Sequence, residues 1–175
     1  MDDYVQGAVA DWDREYPDLD TSPMDVAARI VRAGEFIQRR LNSVAAAHGV
    51  SHKGDVDVLT ALRRSGHPYE LTPTQLAQRL LLTSGGMTNR LDRLEAGELI
   101  ERRPDPSDRR GVLVGLTSTG AALAEAAFRD GLEAQAAVLA AIDESDGAVT
   151  ARTLKKLLVS MGDTEVGPSG PTPQD

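Results

Sequence analysis

The stretch from Leu71 to Leu116 constrains the chain more than any other, because its punctuation allows only a short helix, a turn, a second helix and two strand-like runs. Thr72, Pro73 and Gln75 make a capping box with proline at the first helical position, so a helix starts here and carries Leu76, Ala77 and Leu80 on one face. A turn through 82–84 leads to a second helix over about 84–96. Its Met87, Leu91 and Leu94 fall at i, i+4 and i+7 and define one buried stripe.

At about 100° per residue, Gly85, Asn89 and Arg93 lie opposite that stripe, with Thr88 to one side. A helix entering the major groove needs this set: small residues for close approach, Asn for adenine, Arg for guanine or phosphate, Thr for phosphate or a thymine methyl. Thr72, Thr74 and Ser84, at the two helix starts, complete the expected contacts. Arg90 falls near the edge of the buried stripe and is not assigned to base reading. After Gly97, the runs 99–103 and 112–116 flank Pro104-Asp105-Pro106-Ser107-Asp108-Arg109-Arg110-Gly111, where two prolines and a terminal glycine forbid regular structure. Arg109 and Arg110 therefore sit on or beside a projecting hairpin loop, placed to reach phosphates or the minor groove. The fold class expected is mainly α with a small β-hairpin wing, a winged helix-turn-helix with long flanking helices.

Leu71-Thr72-Pro73-Thr74-Gln75-Leu76-Ala77, Ser84 through Leu94, Arg102-Arg103, Asp105, Asp108-Arg109-Arg110, Leu116-Thr117 and Gly120 together resemble the MarR family of bacterial transcription regulators. The Asp-Arg-Arg wing followed by Leu-Thr-x-x-Gly is the specific part, and likeness in helix length and order extends over about 24–161. One departure stands out. The family's glycine normally sits directly before the leucine of the first wing strand, whereas here Glu98 occupies that place and Gly97 precedes it.

The chain has 175 residues, room for one domain with a proper core or one domain plus an extension. It contains no cysteine, which excludes disulfides, thiolate metal sites and sensing by cysteine oxidation. No apolar run is long enough to span a membrane and the start is acidic, so a cytoplasmic protein without a membrane partner is expected. The net charge of −8 argues against nucleic acid. However, residues 79–110 hold seven arginines against six carboxylates, leaving −9 on the remainder. That weak segregation predicts modest, strongly salt-dependent duplex binding.

In chain order, 1–20 reads as an extra N-terminal helix with Val5, Val9 and Trp12 on one face, ended by Pro17 to Pro23. Ser22, Pro23 and Asp25 make a second capped start, and 21–52 is a long helix with Ile30, Ile37, Leu41 and Val44 on its apolar face and Gly49 at its end. The DNA-binding domain is expected over 53–117, beginning with a helix over 54–65. Thr117 caps an alanine-rich helix to about 142, and a last helix over 145–161 completes a C-terminal unit at 118–162. From 163 to 175 the composition turns to Gly, Pro, Ser and Thr, as in a disordered tail. Flanking helices from both ends of the chain predict a homodimer that sets two recognition helices on successive major-groove faces of double-stranded DNA.

Trp12, Asp57, Arg90 and Arg102 resemble, in type and interval, the Trp, Asp, Arg and Arg set of the urate-responsive branch of the family. The resemblance implies a small anion bound between the dimerisation helices and the reading head, with Asp57 paired to an arginine in the free protein. In the bland reading, Trp12 anchors an extra helix, Asp57 is solvated, and Arg90 and Arg102 are structural ion pairs or phosphate contacts. His48, His52 and His67 lack metal-motif spacing and no catalytic signature is present, so neither an enzyme nor a cofactor or metal site is expected. The competing readings are a winged-helix protein-interaction module and a DNA-binding repressor without a ligand.

Overall fold

The structure, a computed structural model, describes residues 1–164. Its elements run α1 (Tyr4–Glu15), α2 (Ser22–Ala47), α3 (Lys53–Arg64), β1 (Glu70–Leu71), α4 (Pro73–Arg79), α5 (Ser84–Ala96), β2 (Ile100–Pro104), β3 (Val112–Leu116), α6 (Ser118–Leu139) and α7 (Glu144–Ser160). The tail expected at 163–175 lies, beyond its first two residues, outside the described residues. No helix among those described is long and apolar enough to cross a membrane.

The core sits under the reading head. Leu59 and Leu62 of α3, Leu76 of α4, Met87 and Leu91 of α5 and Val114 of β3 are all essentially inaccessible. The i, i+4, i+7 stripe of α5 thus buries as its spacing dictates, and the capping box of α4 forms with both of its bonds, Gln75 N to Thr72 Oγ1 at 3.2 Å and Thr72 N to Gln75 Oε1 at 2.9 Å. Gly49 ends the α2 turn at φ +73°, in the left-handed region where a side chain is unfavourable.

Two expectations are corrected. The hairpin is part of a three-stranded antiparallel sheet in the order β1-β3-β2, with Glu70 opposite Gly115 and Leu71 opposite Val114. The missing β-carbon at Gly115 leaves room for Glu70, whose carboxylate reaches across β3 to bind Arg103 of β2. Ser22 does not cap α2; it lies in the first turn, and its own N–H donates to Asp20 Oδ1 at 3.0 Å. Helix α5 spans Ser84–Ala96 as its sequence leads one to expect, and its cap is Thr83, whose Oγ1 accepts from Gly86 N at 3.2 Å.

The Leu-Thr-x-x-Gly motif locks the wing to α6. Thr117 Oγ1 donates to the Glu98 carbonyl at 2.8 Å and accepts from Gly120 N at 3.0 Å, while Thr117 N donates to the Leu99 carbonyl. Gly120 is needed for this approach, because a β-carbon there would lie 1.8 Å from the Leu99 oxygen.

The outer helices are partnered on one side only. Helix α6 packs on α2 and α3, and α1 lies on α2. Yet Val26, Val31 and Phe36 of α2 and Leu132 of α6 are half-exposed or more, and α7 buries none of its residues.

Candidate nucleic-acid interface

Helix α5 is buried by its Met87, Leu91 and Leu94 stripe, which turns Ser84, Gly85, Thr88 and Asn89 outward, all exposed. Space around Gly85 is open, with nothing within 4 Å of where a β-carbon would stand. Thr88 Oγ1 donates to the Ser84 carbonyl at 3.1 Å, a bond within its own helix that leaves its oxygen able to accept. At the start of α4, Thr74 is exposed, whereas Thr72 is half-buried and its hydroxyl is committed to the cap. A groove of about 670 Å³ runs past Thr74, Ser84 and Thr88, and its far wall is the end of α7 at Leu158 and Met161.

The wing loop is ordered by its acids. Asp105 Oδ1 accepts from the Ser107 hydroxyl at 2.6 Å and the Ser107 N–H at 2.8 Å, and Asp108 Oδ1 accepts from Arg110 N at 2.9 Å. The Ser107 hydroxyl is the main reason the Asp105 carboxyl is held below the ordinary aspartate value. These carboxylates thus bind loop atoms, and neither pairs with the guanidinium of Arg109 or Arg110. Both arginines are exposed and join no ion pair among the described residues. Their charge is therefore available to phosphate.

Arg93 is a different case. Expected on the groove side, it turns its guanidinium back onto α3, donating from Nε and Nη2 to Asp55 Oδ2 and Oδ1 at 3.0 and 2.7 Å. That bidentate bond holds Arg93 above its ordinary value. Asp55 is 4% exposed, the single charged side chain in the core among the described residues. A sequence signal for it existed: Asp55, Leu59 and Leu62 fall at i, i+4 and i+7, so the acid lies on the apolar stripe of α3.

Each of the four residues expected to hold an anion has a partner of its own in the free chain. Trp12 is 47% exposed and stacks on Tyr16 at 5.7 Å between ring centres. Asp57 does not pair with an arginine; Lys53, one turn earlier on the same helix, takes its Oδ2 at 2.6 Å. Arg90 Nη1 donates to the Gly54 carbonyl at 2.8 Å, and Arg102 binds Asp92 at 2.7 Å and Glu95 at 3.2 Å. Among the described residues no hydrogen bond or ion pair joins any two of the four. Asp57 does line a cavity of about 470 Å³ between α3 and α6, with Thr60, Arg63, Arg64, Leu80, Glu125 and Phe128. Its two arginines were not singled out by the sequence.

Residues 48–111 match the model of the MarR family. The chain is similar to the HTH-type transcriptional regulator PecS of Dickeya dadantii, 34% identical over 142 residues that span 81% of this chain and 85% of PecS. Among solved structures it is similar to a mutant of Escherichia coli MarR complexed with operator DNA, at a TM-score of 0.71 and 29% identity over 81% of this chain and 99% of that one. It is also similar to Sco5413, a MarR family regulator from Streptomyces coelicolor, at a TM-score of 0.72 and 27% identity over 83% and 99%.

Proposed function

The chain belongs to the MarR family of transcriptional regulators, and from that premise we propose that it is a repressor which binds a palindromic operator as a homodimer and is released by a small anion. The observation that carries the DNA reading is the surface formed by Gly85, Thr88 and Asn89 at the open end of α5, beside a wing whose Arg109 and Arg110 have no acid partner among the described residues. Asn89 presents an amide able to pair with both N6 and N7 on the major-groove edge of adenine, Gly85 allows backbone approach, and Thr74, Ser84 and Thr88 offer hydroxyls to phosphate. The family likeness to a protein solved on operator DNA supports the same reading.

The homodimer is supported by the apolar surface that one chain leaves open on α2, α6 and α7. Val31, Phe36, Leu132, Leu157 and Leu158 are each more than 40% exposed, large apolar side chains that a second copy could cover. Two reading heads would then meet half-sites about 10 bp apart or a multiple of it.

For the anion, the cavity at Asp57, Arg63 and Arg64 is the best supported site. Arg63 is engaged by Glu125 at 3.3 Å and lies over the Tyr69 ring, so a urate-like or carboxylate ligand would compete with Glu125 for that guanidinium. Because α3 and α6 wall the cavity, such a ligand would act on the junction between the outer helices and the reading head. Release of DNA follows if the anion prefers the DNA-free arrangement.

The test is duplex binding to the gene's own upstream region at two salt concentrations, with and without urate and citrate. Salt-sensitive, sequence-selective binding weakened by one anion is the expected result. Selective binding indifferent to both would remove these two anions and keep the regulator. The net charge of −8 favours a protein partner as the alternative, and failure to bind duplex at low salt would favour it further.

A further inference from the structure

The recognition helix is held from behind by its own cations. Arg93 forms the bidentate bond to the buried Asp55, and Arg90, three residues earlier, donates to the carbonyl of Gly54. Gly54 makes room for this grip, since a β-carbon there would fall 2.2 Å from Arg90 Nη1. Gly54 and Asp55 open α3 only a few residues after α2 ends, so α5 is referenced to the α2–α3 corner as well as to its own hydrophobic stripe.

A carboxylate taken out of water cannot be left unpaired without a large penalty, so Asp55 holds Arg93 whatever else that guanidinium could bind. We propose that Asp55 is a specificity-determining positioning residue, which fixes the rotation of α5 and withholds Arg93 from the phosphates. The inference rests on the DNA reading. The recognition helix then reads through its first two turns, at Ser84, Gly85, Thr88 and Asn89, while the cation that would bind any sequence equally is kept off the duplex. Sequence-independent affinity is set by the number of phosphates neutralised, so one guanidinium withheld per protomer lowers binding to every sequence alike, and the discrimination itself comes from the rotation of α5 that Asp55 fixes.

The test uses the full chain, a duplex selected by the wild-type protein from a random library, and a scrambled duplex of the same composition. Asp55→Asn removes the charge that retains Arg93. The expected result is tighter binding to the scrambled duplex, a salt slope steeper by about 0.9 per protomer, and a smaller ratio of selected to scrambled affinity. The double variant D55N/R93Q replaces the ion pair by two amides. It should restore the wild-type slope, and circular dichroism reports whether each variant is folded. A slope in D55N equal to wild type would overturn the proposal. So would a double variant with a slope shallower than wild type, because Arg93 would then be a phosphate contact in the native protein. If D55N fails to fold, the double variant alone decides between these outcomes. If the wild-type protein selects no duplex, the DNA reading itself fails and the inference falls with it.

Discussion

Glu98 adopts φ +56°, a left-handed conformation that costs a side-chain-bearing residue about 1 kcal/mol. Its N–H donates to the Glu95 carbonyl and its carbonyl accepts from Thr117, so the backbone is fixed there, while its side chain is exposed and unpaired. Gly97, one residue earlier, has φ −86° and needs no glycine. The Glu98→Gly variant should therefore raise stability by about 0.5–1 kcal/mol in urea unfolding, and an unchanged midpoint would show that the strain is relieved elsewhere. Gly120→Ala should act in the opposite sense, losing about 2 kcal/mol or more, since the added methyl meets a fixed carbonyl rather than a movable side chain. The sequence exposed the displaced glycine at 97 but not its consequence, because φ is a property of the chain's path after α5. Asp55 was missed for a related reason. An acid in the first turn of a helix is usually read as a solvated dipole partner, and only its phase with Leu59 and Leu62 marks it as buried.

Of the elements, the helix-turn-helix was legible because capping box, apolar stripe and glycine stop each have a local cause. Strand β1 was not, since two residues carry no periodicity and its pairing depends on β3, more than forty positions away. The partners of the expected anion residues were not legible either: a resemblance fixes residue types and intervals, but not that Lys53 holds Asp57, the Gly54 carbonyl Arg90, and Asp92 Arg102. Two predictions belong to the wing. Arg109→Ala should reduce the salt slope of duplex binding by about 0.9 per protomer and weaken selected and scrambled duplexes alike, measured by titration at several salt concentrations. Loss of affinity for the selected duplex alone would instead mean a base contact. The second concerns pH. The Asp105 carboxyl is held below its ordinary value of 3.8, so the order it gives the wing is fully present above that value and is lost only as pH falls through the lower folded value. Between about pH 5 and 8 the Asp105 carboxyl should therefore contribute no titration to duplex binding, and Asp105→Asn should leave the shape of the pH profile in that window unchanged.

Helix α7 joins these local devices to the behaviour of the whole protein. It buries nothing within its own chain, carries Leu157 and Leu158 at 43% and 47% exposure, and ends beside the groove that runs past Thr74, Ser84 and Thr88. Helices in proteins draw most of their stability from packing an apolar face, and α7 finds little of it within its own chain. In the homodimer proposed above its partner comes from a second chain, and α2 and α6 leave Val31, Phe36 and Leu132 open. Placing a carboxylate at Leu157 or Leu158 should then split an assembly of two 18.7 kDa chains into monomers, seen by light scattering at micromolar concentration. The same variants should lose selective duplex binding by far more than the loss of one contact, because a monomer engages one half-site and forfeits the effective concentration that tethers the second head. The reading head itself should survive, since its core of Leu59, Leu62, Leu76, Met87 and Leu91 owes nothing to α7. A variant that stays dimeric would place the interface on α2 and α6 without α7. One that becomes monomeric yet binds the selected duplex as tightly as wild type would show that a single winged helix reads the operator alone.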